Sequence, residues 1–194
     1  MSESLRCFVA VKIPEAAAAR VREAQERLRE AEPSWKWVDP DTFHLTLKFL
    51  GQVSSDRLGE LWSAITASLD GRHSFVMTLK GLGAFPNARS PRVAWAGIQA
   101  GAEELSELAE AVEAACERLG FEREQRPFAA HLTLGRARRG QTKSQVGQAI
   151  EREGDVEFGE APVECVLLMR SQLSRAGAKY TVLQEHELEH GEAE

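Results

Sequence analysis

The chain is poor in cysteine. Its 194 residues hold three, Cys7, Cys116 and Cys165, far apart and with no C-x-x-C pair. That spacing argues against a disulfide framework and a cysteine-built zinc site. It suits a reducing compartment, with the thiols as small core residues, and the expected location is cytoplasmic. No apolar run approaches the roughly 18 residues of a membrane span. The opening "MSESLRCFVAVKIPE" has no charged segment leading into an apolar one, and its apolar run breaks at Lys12 and Pro14. A secretion signal and a membrane partner are therefore not expected. Positive charge is in deficit: 24 Lys and Arg stand against 30 Asp and Glu, a net charge of −6. A groove that tracks duplex DNA draws its affinity from neutralised phosphates, so the balance disfavours one. It leaves open the recognition of a single nucleotide or RNA end. Histidine is scarce as well, at five residues.

What remains is ordinary globular material. Hydrophobic residues make up 43% and charged residues 28%, enough for a full core in one domain, or in one domain with two lobes. The basic residues are uneven. "REQRPFAAHLTLGRARRGQTK" holds Arg123, Arg126, Arg136, Arg138, Arg139 and Lys143 against Glu124 alone, a zone suited to an anionic substrate.

The elements follow an order that repeats. "LRCFVAVKI" predicts a buried strand and "PEAAAARVREAQERLREAE" a helix with proline in its first turn. "PSWKWVDPD" is a loop with a short strand at its tryptophan pair. "FHLTLKFLG" alternates as a strand and stops at Gly51. "SSDRLGELWSAITASLDG" opens on a Ser/Asp cap as a helix and ends at Gly71, and "HSFVMTLKGLGAF" and "PRVAWAGI" are strands. Then "GAEELSELAEAVEAACERLG" is a helix, "FAAHLTLGRA" a strand and "TKSQVGQAIERE" a shorter helix. "VEFGEAPVECVLLMR" and "KYTVLQEHEL" close the chain as strands. Both halves read strand, helix, His-x-Thr strand, helix, strand. "FVAVKIP" lines up with "RVAWAGI", and His44 with His131. The pattern predicts an internally duplicated α+β fold.

The two copies of His-Leu-Thr-Leu carry the chemistry. Residues two apart share one face of a strand, so His44 and Thr46 oppose Leu45 and Leu47, and His131 and Thr133 oppose Leu132 and Leu134. If the halves pack about a pseudo-two-fold axis, two imidazoles and two hydroxyls meet. A neutral imidazole can take a proton from water while a cationic one gives a proton to a leaving oxygen, and the hydroxyls can hold phosphate oxygens. This set suits metal-free hydrolysis of a phosphodiester. Exposed strand residues without function and a two-histidine metal site are the rival readings. The second lacks an adjacent carboxylate or cysteine to complete the ligands. His73, His186 and His190 fall outside the pattern and are expected at the surface.

With its flanks, the sequence resembles the two-histidine (2H) phosphoesterases. The likeness is closest to the bacterial and archaeal RNA 2′,3′-cyclic phosphodiesterases, also called LigT-type or 2′-5′ RNA ligases. The segments that carry it are "RCFVAVKIP", "WVDPDTFHLTLKFLG", "LGAFPNARSPRVAWAGI", "FAAHLTLGRAR" and "LMRSQLSRAGAKYTVL". The resemblance implies one two-lobed domain over residues 1–194, with two antiparallel-rich sheets facing a cleft. It implies hydrolysis of RNA 2′,3′-cyclic phosphate ends to 2′-phosphates, without metal or other cofactor, in some members with 2′-5′ ligation. Under it His44 is the proton donor to the 3′ leaving oxygen and His131 the base that activates water. Thr46 and Thr133 hold the phosphate, and Arg136 matches a basic residue placed after the second motif. A regular strand, however, sends Arg136 to the leucine face; it reaches the phosphate only if the strand ends or bends, as at Gly135. Lys48 has the parity to extend the polar face, and Trp37 is either a base-stacking or a packing residue. A 2′-5′ oligonucleotide phosphodiesterase and a non-catalytic RNA-end-binding module remain alternatives. Without a heptad or a long apolar patch, a monomer is expected.

Overall fold

The first strand, β1 (Ser4–Lys12), is an apolar run buried on both faces from Cys7 to Val11, as the sequence predicts. Proline then supplies the extended residue before α1 (Glu15–Ala31), which buries Ala17, Val21, Ala24 and Leu28 along one stripe. The computed structural model describes residues 2–141, 144–174 and 177–190. In chain order there follow β2 (Lys36–Trp37), β3 (His44–Ser54), α2 (Leu58–Leu69), β4 (Phe75–Phe85), β5 (Val93–Ala100) and α3 (Ala102–Arg118). The chain then continues through β6 (His131–Arg136), α4 (Val146–Glu153), β7 (Glu157–Val163), β8 (Cys165–Ser174) and β9 (Gly177–Glu187).

Two sheets result. One has the order β3-β1-β8-β9 and the other β2-β6-β5-β4-β7. Every neighbouring pair is antiparallel. The expected α+β class with two antiparallel sheets is what forms. The helices cross over. α1 leaves β1 but packs on α4 and on β7 of the other sheet, and α3 leaves β5 but packs on α2 and on β3 of the first. β3 and β6, the strands carrying the His-x-Thr motifs, approach one another from different sheets.

Several boundaries depart from the sequence reading. β3 does not stop at Gly51 but runs on to Ser54. Gly51 instead takes a left-handed φ of 70° where the pairing with β1 slips by one residue, a conformation that glycine adopts without strain. The Ser/Asp signal before α2 forms a 3-10 turn over Ser55–Arg57, and α2 proper begins at Leu58. β6 opens at His131, so "FAA" lies outside it. Thr142 and Lys143 of the predicted fourth helix lie outside the described residues, and α4 starts at Val146.

Candidate active site

His44 and His131 each open a strand, and each is held the same way. His44 Nδ1 lies 2.8 Å from the carbonyl of Thr42, and His131 Nδ1 lies 2.7 Å from the carbonyl of Ala129, in both cases two residues back. A carbonyl oxygen only accepts, so Nδ1 carries the proton in each ring. Nε2 is left as the atom that gains or loses one. Thr46 and Thr133 are half-buried beside them, while Leu45, Leu47, Leu132 and Leu134 are buried behind. The period-two reading of both motifs therefore stands.

Beyond the threonines the strict alternation fails, at matching places. In β3, Ala10 pairs with Thr46 but Val9 pairs with Lys48, so Leu47 is an extra residue. In β6, Trp95 pairs with Thr133 but Ala94 pairs with Gly135, so Leu134 is extra. Each is a β-bulge three residues after the histidine, and each resets the phase. On β6 the bulge turns Arg136 back to the histidine face, paired with Val93 and Lys36. This resolves the parity problem in favour of Arg136. On β3 the same bulge turns Lys48 inward. Its Nζ is within 2.5 Å of Glu113 on α3 and 3.0 Å from the Glu122 carbonyl. Lys48 therefore does not extend the polar face. Phe49 takes the place that Arg136 holds on β6, paired with Phe8 and 63% exposed. The same pairings match Phe8 to Val93, one residue off the alignment of "FVAVKIP" with "RVAWAGI".

Both bulges are braced from behind by the helix that crosses over. Gln25 of α1 donates through Nε2 to the carbonyls of Leu134 and Val38, each at 2.8 Å. Glu113 of α3 accepts from Lys48. Gln25, Lys48 and Glu113 are the only buried polar side chains among the described residues, and all three serve these two bulges. Buried polar groups persist when they are paired, and here the pairing fixes the strands that carry the imidazoles.

The surroundings set the charge. His44 meets the rings of Phe8 at 4.8 Å and Tyr180 at 4.9 Å; His131 meets Phe85 edge-on at 5.0 Å. Burial therefore pushes both imidazoles below an ordinary histidine's range, opposed by the bonds to Thr42 and Ala129. The charge of the Arg136 guanidinium also lowers both. Lys12, paired with His44, and Lys36, paired with Arg136, are exposed beside them. Neither they nor Arg136 take part in the ion pairs found among the described residues. Uncommitted cations around two imidazoles suit an anionic ligand.

The remaining expectations sort clearly. The basic zone is not one surface: Arg123 is taken up by Glu110 and Glu117, and Arg138 donates to the Ser34 carbonyl. Lys143 lies outside the described residues. Trp37 is a packing residue. Its ring stacks on Trp35, its N–H donates to the Glu32 carbonyl, and it covers Gly135, where a Cβ would come within 2.5 Å of the ring. Burial pushes the Cys116 thiol up to about 11 and the Cys165 thiol up to about 12, which removes both as thiolate nucleophiles. Cys165 is only half-buried. His73 and His190 are exposed and His186 is half-buried. No group of three His, Cys, Asp or Glu placed to hold a metal ion occurs among the described residues. No helix among them is long and apolar enough to cross a membrane. The sequence reading missed Lys36, the rings of Phe8, Tyr180 and Phe85, and Phe49. Their periodicity marks them only as strand residues.

Known proteins resemble this chain in sequence and fold. The family model described as LigT like Phosphoesterase matches twice, over residues 11–95 and 97–180. A protein of Methanothermobacter thermautotrophicus named RNA 2′,3′-cyclic phosphodiesterase is 33% identical over 91% of this chain and 95% of its own length. One of the same name from Thermus thermophilus is 37% identical over 96% and 93%. Among solved structures, TT0787 of Thermus thermophilus superposes with a TM-score of 0.80 at 34% identity, covering 95% of this chain and 98% of that one. Escherichia coli LigT in complex with 3′-AMP gives 0.77 at 27%, covering 96% and 99%. With its two His-x-Thr strands set in a fold shared along nearly its whole length, the chain belongs to the LigT-like phosphoesterase family.

Proposed function

We propose that the protein hydrolyses RNA 2′,3′-cyclic phosphate ends to 2′-phosphomonoesters by paired acid and base catalysis. The observation that carries this reading is the matched pair of imidazoles, each at the head of a His-x-Thr strand with Nδ1 fixed on a backbone carbonyl two residues back. The relatives' name, RNA 2′,3′-cyclic phosphodiesterase, supports the substrate. The cyclic phosphate's free oxygens accept from the hydroxyls of Thr46 and Thr133 and from Arg136. Neutral His131 takes a proton from water at Nε2 as the water oxygen attacks phosphorus. The P–O3′ bond breaks, and cationic His44 gives its Nε2 proton to O3′. The products are a 3′-hydroxyl and a 2′-phosphomonoester, and a proton exchanged with solvent resets the pair. The geometry is nearly symmetric, so the division into acid and base rests on the family resemblance. A 5′-hydroxyl in place of water would form a 2′-5′ linkage, the ligase side of the family.

The same reading covers the whole chain. Residues 1–194 form one two-lobed domain whose halves are related by a pseudo-two-fold axis, a view supported by the two family matches and the matching bulges. The protein works as a monomer in the cytoplasm, on RNA ends or nucleotides and not on duplex DNA. The test is one incubation of an RNA ending in a 2′,3′-cyclic phosphate, with EDTA, followed by phosphorus NMR. A 2′-phosphate is expected. A 3′-phosphate would reverse the leaving oxygen, and an unchanged end would overturn the reading.

A further inference from the structure

The residues next to the Arg136–Val93 pair, Ala137 and Arg92, line a cavity of about 230 Å³. Its walls are the turn before β5 and the segment after β6. The Ala137 N–H joins them by donating to the Arg92 carbonyl at 2.9 Å. Arg89, Ser90 and Ser144 complete the polar lining, and no lining residue is acidic. Neither arginine takes part in the ion pairs found among the described residues. The walls are held from several sides. Asn87 Oδ1 accepts from the N–H groups of Arg89 and Ser90 at 3.0 Å each, and Arg92 donates through Nη1 to the Gln141 carbonyl at 2.5 Å. Gly147 of α4 lies so close to the turn that a Cβ there would collide with the Ala88 carbonyl. Glu32, whose carboxylate accepts from the Gln145 N–H and the Ser34 hydroxyl, is not part of the lining.

We propose that this cavity is a second phosphate subsite, which takes a backbone phosphate of the RNA upstream of its reacting end. The proposal rests on the reading of the site as one for an RNA cyclic phosphate. Size and charge decide the ligand. A space below the roughly 300 Å³ of the smaller ligand pockets suits a single group rather than a whole nucleotide. Two guanidinium groups and two hydroxyls without a carboxylate suit an oxyanion, and arginine's planar fork fits phosphate oxygens. Position decides the source. Arg136, set on the reacting phosphate in the proposed mechanism, directly precedes Ala137 of the lining. A 2′,3′-cyclic mononucleotide has one phosphate and leaves the cavity without a ligand, whereas an RNA chain brings a further phosphate with each nucleotide. The cavity therefore separates RNA ends from free cyclic nucleotides.

The test gives the full-length protein 2′,3′-cyclic AMP, an RNA trinucleotide ending in a 2′,3′-cyclic phosphate, and the same trinucleotide with both linkages made as uncharged methylphosphonates. The wild type is expected to favour the natural trinucleotide over the methylphosphonate, mainly through KM. The double change Arg89→Gln and Arg92→Gln should cut that preference about tenfold, the scale of a lost charged hydrogen bond, and leave turnover of cyclic AMP unchanged. Arg118→Gln removes an exposed cation of α3 outside the lining and should keep the wild-type preference. A wild type indifferent to linkage charge, or a preference that survives the double change, overturns the subsite. An equal loss on cyclic AMP would put the arginines at the reacting phosphate and overturn it as well. If the wild type turns over none of the three, the proposed reaction fails and calorimetry decides the subsite alone. Equal wild-type affinity for the trinucleotide 2′-phosphate with natural and with methylphosphonate linkages would overturn it; a difference abolished by the double change would support it.

Discussion

At the scale of single residues, the decisive feature is a proton that has no choice of place. With Nδ1 of His44 and His131 committed to carbonyl oxygens, Nε2 is the atom of each ring left for the proposed acid and base chemistry. Replacing either histidine by alanine is expected to lower kcat by about 100- to 10,000-fold while leaving the melting temperature near the wild type. The pH response follows from the sign of the shifts. Burial and then Arg136 disfavour the imidazolium, so the limbs of the kcat/KM profile should fall on the acid side of an isolated histidine's 6.5. Removing the guanidinium relieves part of that, so in Arg136→Gln both histidine titrations, followed by proton NMR, should move to higher pH. A profile that stays put would mean that Arg136 does not act on the pair. These residues were readable in the sequence because His-x-Thr needs only alternation to share a face. The rings around them were not, because Phe8, Tyr180 and Phe85 come from three other strands and meet the imidazoles only through sheet pairing.

At the scale of elements, the two bulges decide which side chains reach the site. Gly135 gave one of them a visible cue, since a glycine inside a strand marks a bend or a close approach. Its partner at Leu47 and Lys48 had no such cue, and simple alternation therefore extended the polar face to Lys48, which the structure turns inward to Glu113. Gly135→Ala should destabilise the protein by about 1–3 kcal/mol in urea denaturation, because the added methyl meets the Trp37 ring. The brace behind β3 should respond asymmetrically. Lys48→Ala leaves Glu113 buried without its cation and should cost about 3–5 kcal/mol. The double change to Lys48→Met and Glu113→Leu should recover most of that. Equal losses in the single and double variants would show that packing, not charge pairing, holds this spot.

At the scale of the molecule, an acidic protein acts on an acidic substrate through a few local cations. Among the described residues, Lys12, Lys36 and Arg136 are the cations that strand pairing sets beside the two motifs. The logarithm of kcat/KM for a short RNA should therefore fall with the logarithm of salt at about 0.7 per phosphate engaged, a shallow slope of about one to two. A slope as steep as that of a duplex-tracking protein would point to a longer binding track. The α+β class and the repeated order were legible in the chain. The crossing of the helices was not, because connection length alone does not say which sheet a helix covers. That crossing has a further consequence. Gln25 steadies the carbonyl of Leu134, and Glu113 steadies Lys48, so each half of the chain holds the other half's histidine strand from behind. Two units that merely sit side by side are free to drift apart over evolutionary time. Two units that reach through one another inherit each other's changes, and a substitution behind one motif has to be answered far away in sequence, behind neither its own helix nor its own strand.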